Sequence, residues 1–270
     1  MHVGFIGLGS QGAPMARRIV DSGHPLAIWA RRAESVEPFT DTPATVVASP
    51  AEVGAASELV GICVFADADV EQVLFGSEGV LAGMAPGGVV AIHSTVHPRT
   101  CLNVGARAAE HGVAVVDAPV SGGGAAALER RLLLMAGGED ADVARCRPVF
   151  ETFADPIVHL GPLGTAQTAK VMNNLLLAVH MAVAFDAFDL ASDLGVDPAG
   201  FAQALSRGSG GSTAASIVSG AGFDTDYLRT NSAPYFRKDL EIMIDIADSR
   251  GVPTPEPLVE LVRRAFITPG

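Results

Sequence analysis

Positive charge is scarce in this chain. Eighteen Lys and Arg stand against thirty Asp and Glu, a formal net charge of -12 over 270 residues, so no basic face is available to neutralise a phosphate backbone. Neither nucleic acid nor an anionic membrane is expected as a partner. Cysteine is nearly absent: Cys63, Cys101 and Cys146 lie far apart, which gives neither a disulfide framework nor a metal-binding pair and fits a reducing cytoplasm. The seven histidines show no ligand spacing, and no metal is expected. The opening residues MHVGFIGLG already read as strand and turn, without a basic and apolar leader, so no signal peptide is expected. Long apolar runs are also missing. The longest uncharged one, Val171 to Phe185, is too short for a bilayer and carries Asn173, Asn174 and His180; a buried helix is the expectation.

Apolar residues make up 49% of the chain, enough to close one or two cores in water. From Met1 to about Gly161, short β-rich runs (HVGFIGL, PLAIWA, ELVGICVF, GGVVAIHST, VAVVDAP, RLLLMAGG, PIVHLG) alternate with Ala-rich helical stretches. Near-continuous apolar strands interleaved with helices indicate a parallel sheet covered on both faces. After Gly161 the β-runs stop. Thr165 to Leu194 holds neither Pro nor Gly until the stop GVDP at Gly195, and about thirty helical residues span about 45 Å. Leu175, Leu176, Leu177, Val179, Met181, Val183, Phe185 and Phe188 surround that helix, so one neighbouring sheet cannot cover it. It is expected to be wrapped by a helical second domain and by another subunit of a homodimer or homotetramer. Further helices are expected at Gly200 to Ser206, at Tyr235 to Arg250 and after Pro257, with Gly208 to Gly222 a loop or a frayed helix start. The fold expectation is α/β: a Rossmann doubly wound parallel sheet over 1–162, then an all-α domain over 163–270 built on one long helix.

Gly7-Leu8-Gly9-Ser10-Gln11-Gly12 follows the first strand and opens a helix at Ala13, the context that a dinucleotide-binding G-x-G-x-x-G turn needs. Gly7 permits the tight turn, Gly9 the approach of a pyrophosphate and Gly12 close helix–strand packing, while the helix N-terminus offers free N–H groups. The second strand ends at Ala30-Arg31-Arg32, where an NAD enzyme places an acid on the ribose 2′-hydroxyl. Two guanidiniums there suit a 2′-phosphate instead, so NADP(H) is expected over NAD(H). Asp117-Ala118-Pro119-Val120-Ser121-Gly122-Gly123 is a strand end running into a glycine turn, with the exposed amides of an anion nest. Lys170, Asn173 and Asn174 share one helix face by their i, i+3, i+4 spacing.

Taken together, FIGLGSQGAPMARRIVDSGH, HSTVHP, DAPVSGG, GTAQTAKVMNN and KDL, in that order along the chain, resemble the β-hydroxyacid dehydrogenase family. It includes 3-hydroxyisobutyrate dehydrogenase, tartronate semialdehyde reductase and the glyoxylate/succinic semialdehyde reductases. The resemblance implies hydride transfer between NADP(H) and a small 3-hydroxy or 2-hydroxy carboxylic acid or semialdehyde. It implies Lys170 as general acid/base, and Ser121, Gly122, Gly123 and Asn174 as substrate ligands with Asn173 beside them. Ser94-Thr95 would lie near the nicotinamide ribose, Val64-Phe65 would line the cofactor where many relatives have Leu-Pro, and Lys238 of the KDL motif would reach back over it. A proton must leave the hydroxyl as hydride leaves the same carbon, and a lysine can carry it where burial lowers its pKa. Arg130-Arg131 departs from the family's usual Gly-Thr, and Ser206 to Ser212 follows its serine-rich stretch only loosely. An imine reductase shares the architecture but typically replaces the helix lysine. A cofactor-binding module without catalysis is the remaining alternative, and such relatives commonly lose that lysine.

Overall fold

Short, mostly apolar runs form the strands, and the computed structural model describes residues 1–267. The order is β1 (Val3–Ile6), α1 (Gly12–Asp21), β2 (Leu26–Trp29), a 3-10 stretch (Ala33–Phe39), β3 (Thr45–Val46), α2 (Pro50–Ala55) and β4 (Leu59–Ile62). Then come α3 (Asp67–Phe75), α4 (Val80–Gly83), β5 (Val89–Ile92), α5 (Pro98–Ala109) and β6 (Ala114–Asp117). All six strands are parallel in the order β3-β2-β1-β4-β5-β6. That is the doubly wound arrangement, with its switch point between β1 and β4. Alternation along each strand feeds two cores: Val3, Phe5, Leu59, Val89 and Ala91 pack on one face, and Ile6, Val60, Ile62, Val90 and Ile92 on the other. Each strand is therefore apolar on both sides, as the unbroken runs required.

The sequence had placed every β-run in one parallel sheet, and here the structure differs. β7 (Val120–Ser121), β8 (Leu132–Ala136) and β9 (Ala154–His159) form a separate three-stranded sheet, with α6 (Gly123–Leu128) and α7 (Asp140–Phe150) between them. β7 runs antiparallel to β8, and β8 parallel to β9. The glycine turn after β7 reverses the chain, so RLLLMAGG pairs back on VS instead of extending the first sheet. A single bridge between Asp117 and Gly137 joins the two sheets. The short strand β3, exposed and only two residues long, carried no readable signal.

The helices of the second half are α8 (Thr165–Asp193), α9 (Pro198–Leu205), α10 (Thr213–Gly220), α11 (Thr225–Ser249) and α12 (Glu256–Phe266). α10 occupies most of the Gly/Ser-rich stretch expected to be a loop or frayed start, because Ser212 accepts the Ala215 N–H at 3.1 Å and caps it. α11 begins at Thr225, well before the expected Tyr235. Asp224 caps it through the Tyr227 N–H at 2.8 Å, and the helix continues through Pro234. Packing divides the chain inside α8, into Met1–Lys170 and Val171–Gly270. The second unit has its own core, in which Phe185, Phe188, Phe236 and Phe266 meet Val259 and Val262. By length and composition alone α8 would pass for a membrane span, with an 18-residue window of mean hydropathy 1.6. The shorter run read from the sequence underestimated it. Half of that window is buried inside the protein.

Candidate active site

The turn from β1 into α1 separates three glycines by what surrounds them. Gly7 has φ +97, and a methyl group there would lie 2.1 Å from the Cys63 carbonyl oxygen; one at Gly12 would lie 1.9 Å from the Gly7 carbonyl oxygen. Both are required by the protein's own backbone. A methyl at Gly9 would meet nothing within 4 Å, so the fold leaves open the space that a close-approaching ligand needs. No side chain caps α1 and no acid stands in its first turn, while the Nε2 of Gln11 is buried without a hydrogen-bond partner. An uncapped helix N-terminus is an anion site. The turn fits the pyrophosphate of a dinucleotide.

A cavity of about 430 Å³ opens beside this turn at the sheet's switch point, lined by Gly7, Leu8, Gly9, Ala30, Arg31, Arg32, Val64 and Phe65 among others. Arg31 and Arg32 are largely exposed, their nearest acids being Asp69 at 3.8 Å and Glu34 at 3.7 Å. Pairs this long and wet are worth little, so both guanidiniums are available to an anion. Ser94 does not line this cavity, and its buried hydroxyl accepts the Val64 N–H at 2.8 Å, which ties the end of β4 to the end of β5. Thr95 beside it is half-buried. Cys63, under the glycine turn, has its thiol pushed up to about 12 by burial and supplies no thiolate. The Nδ1–H of His93 donates to the Ala118 carbonyl at 2.8 Å among Phe5, Phe150 and Phe153; burial holds its pKa down at about 4, hence the ring is neutral.

After β7 the backbone passes through Gly122 at φ +134 and Gly123 at φ +80, and a methyl at Gly123 would meet nothing within 4 Å. The next glycine matters differently. A methyl at Gly124 would lie 2.5 Å from the Ser10 carbonyl oxygen, so the Ser121–Gly124 turn abuts the glycine turn of α1. The sequence did not single out Gly124. Arg130 and Arg131 stay out of this turn: Arg130 donates to the Glu151 carbonyl at 3.0 Å, and Arg131 pairs with Glu129.

Lys170 ends the first unit, buried on α8. The start of that helix is held by two buried residues to which the sequence assigned no role. Asp117 accepts the N–H groups of Gly164 and Gln167 at 2.9 and 2.8 Å, and burial raises its pKa against the opposing effect of those amides. The Gln167 side chain donates to the Ser94 carbonyl at 2.8 Å and accepts the Val96 N–H at 3.1 Å. In the second unit Asn174 accepts from Asn173 at 3.1 Å and donates to Asp239 at 2.6 Å, while Lys238 lies 3.3 Å from the same carboxylate. KDL and NN thus form one polar cluster, with buried Asp239 at its centre. Asp239 was visible only as the middle letter of a motif.

Two family models cover the chain: the NAD binding domain of 6-phosphogluconate dehydrogenase matches residues 2–161, and the NAD-binding domain of NADP-dependent 3-hydroxyisobutyrate dehydrogenase matches residues 164–268. An uncharacterized oxidoreductase of Mycobacterium tuberculosis is 36% identical over 196 residues, 73% of this chain and 66% of that protein's length. The NAD-dependent L-serine dehydrogenase of Pseudomonas aeruginosa is 33% identical across 94% of this chain and 88% of its own. Among solved structures, a 3-hydroxyisobutyrate dehydrogenase from Salmonella typhimurium superposes with TM-score 0.88 at 28% identity, covering 98% of this chain and 93% of that one. Psf3 in complex with NADP+ and 2-OPP gives 0.86 at 25%, covering 96% and 91%. A Streptomyces aurantiacus imine reductase, at 21% identity and TM-score 0.71 over 97% and 92%, shares the fold.

Proposed function

The chain belongs to the β-hydroxyacid dehydrogenase family of NAD(P)-dependent oxidoreductases, and from that membership we propose that it interconverts a small 3-hydroxy or 2-hydroxy carboxylic acid and its carbonyl counterpart with NADP(H). One observation carries the reading. The open turn at Gly9 and the open turn at Gly123 adjoin through Ser10 and Gly124, which supports the reading that a pyrophosphate and a carboxylate bind side by side in one folded unit. Backbone amides after Gly7 and in the first turn of α1 would hold the pyrophosphate, and Arg31 and Arg32 the 2′-phosphate. Val64, Phe65 and Thr95 would flank the remainder. Ser94 serves indirectly, by fixing Val64. When bound, the nicotinamide supplies or accepts the hydride.

This chain's own residues handle the carboxylate and the proton. Ser121 and the amides of Gly122 and Gly123 fix the carboxylate, and Asn174, which donates to Asp239 at 2.6 Å, is assigned to the substrate by the family's helix motif. In reduction the Lys170 ammonium donates its proton to the carbonyl oxygen as hydride reaches the carbon; in oxidation the neutral amine takes the hydroxyl proton as hydride leaves. Lys238 of the KDL motif is assigned to the cofactor on the family resemblance. The retained lysine separates this reading from imine reduction and from a cofactor-binding module without catalysis.

The protein works in the cytoplasm as a homodimer or a multiple of it. Met172, Leu176, Val183 and Leu190 are all exposed, and their spacing of four and seven residues puts them on one stripe of α8. A second copy presenting the same stripe would cover it. The proposed activity is tested with NADPH against glyoxylate, succinic, tartronate and methylmalonate semialdehydes, and with NADP+ and NAD+ against the matching hydroxyacids and L-serine. Turnover of at least one hydroxyacid pair is expected. Reduction of a cyclic imine with no turnover on the whole panel would overturn the proposal.

A further inference from the structure

An α-helix leaves its first N–H groups without partners inside the helix, and a lysine two turns in is placed no better than the backbone that carries it. Its four-carbon stem has little stiffness of its own. The start of α8 is held from outside. Asp117, at the end of β6 and fully buried, takes the N–H groups of Gly164 and Gln167 across 47 and 50 residues of sequence. Its own backbone is fixed as well, exchanging hydrogen bonds of 3.0 and 2.8 Å with Gly137. A methyl at Gly137 would lie 2.3 Å from its Oδ1, so the carboxylate is packed without slack.

Gln167 holds the other side. It is fully buried, and both polar atoms of its carboxamide are used on the segment after β5, at Ser94 and Val96. Ser94 in turn holds the N–H of Val64, which lines the cofactor cavity. Hydrogen bonds therefore run without a break from the cavity wall through Ser94 to Gln167, and from Gln167 to Asp117. Lys170 follows one turn later on the same side of the helix.

We propose that Asp117 and Gln167 are positioning residues that register Lys170 against the cofactor cavity, an inference resting on the reading of Lys170 as the proton carrier. The helix turn that bears the lysine and the strand ends that border the cavity are fastened to each other, so removing the fastening misplaces the proton donor without touching the cofactor. An error of about 1 Å in such a group costs up to 100-fold in rate.

The test is a double-mutant cycle on purified full-length protein. Gln167→Met removes both side-chain bonds at similar volume; Gln167→Leu also removes both and serves if the first variant does not fold. With NADPH and the best substrate of the panel, kcat is expected to fall roughly 10- to 100-fold, with KM for NADPH unchanged. In a Lys170→Ala background the same change should add less than a factor of about two, since its effect passes through the lysine. A folded Gln167 variant with parental kcat overturns the inference, as does a fall of equal size in the Lys170→Ala background. Near-parental turnover of Lys170→Ala alone instead removes the proton-carrier reading and the inference with it. Independently of turnover, amide hydrogen exchange over residues 166–170 should quicken at least about tenfold in either variant, and unchanged exchange there also overturns the inference.

Discussion

Gly9→Ala separates what the fold needs from what the cofactor needs. A methyl at Gly9 meets nothing within 4 Å of protein, and the residue is absent from the positive-φ glycines, so alanine fits without strain. Such a replacement stabilises by roughly 0.4–1 kcal/mol through the unfolded chain, and the melting temperature should hold or rise slightly. Binding should behave oppositely, because the added methyl occupies the space where the pyrophosphate approaches the backbone. Losing one charge-assisted hydrogen bond costs roughly 1.5–3 kcal/mol, or about 10- to 150-fold in Kd for NADPH. Gly7→Ala and Gly12→Ala are the controls. Their methyls would lie 2.1 and 1.9 Å from backbone oxygens, so both should destabilise the protein before any question of binding arises. Nicotinamide fluorescence titration beside thermal melts, with and without NADPH, reads both quantities. Parental NADPH affinity in a folded Gly9→Ala variant would refute the reasoning, since the open space at Gly9 would then have no ligand to explain it.

The double substitution of Arg31 and Arg32 to Asp should weaken NADPH selectively, by roughly 1.5–3 kcal/mol per lost contact; an unchanged NADPH/NADH ratio would remove both arginines from the 2′-phosphate site. Lys170→Ala should lower kcat by roughly 10²–10⁴ with little change in NADPH affinity, and Lys170→Arg should fail too, because a guanidinium stays protonated; steady-state kinetics check both. Sedimentation at micromolar concentration should show a dimer or tetramer, and Leu176→Asp with Leu190→Asp should shift it towards monomer; a parent that is already monomeric refutes the interface. His93 is held at about 4 in the folded protein against an ordinary 6.5, so its contribution is fully present above 6.5 and is lost as pH falls towards 4. The difference amounts to about 3 kcal/mol, and denaturant unfolding of parent and His93→Phe at pH 7 and pH 4.5 should show the parent losing more on acidification.

The sequence alone determined the parts whose causes are local. A glycine turn between an apolar strand and a helix, the covered strands of the first half and the thirty-residue run of α8 each follow from spacing and chain stiffness. The guanidiniums after β2 could be read in the same way, because the turn residues and the charge that matter lie within about twenty-five positions of each other. Only the tertiary structure decided the rest. RLLLMAGG and PIVHLG look like further strands of one sheet until β7 turns back on β8, a choice made by backbone angles at Gly122 and Gly123. α11 continues past Pro234 because Asp224 caps it and its apolar face is buried. Asp117 and Gln167 looked like a motif letter and a helical polar residue, since their partners lie 47 to 73 positions away. Asp239 meets Asn174 across 65 positions. No periodicity records such pairings. They exist because burial removes water from these polar atoms, and each must then find its partner wherever the chain has brought one.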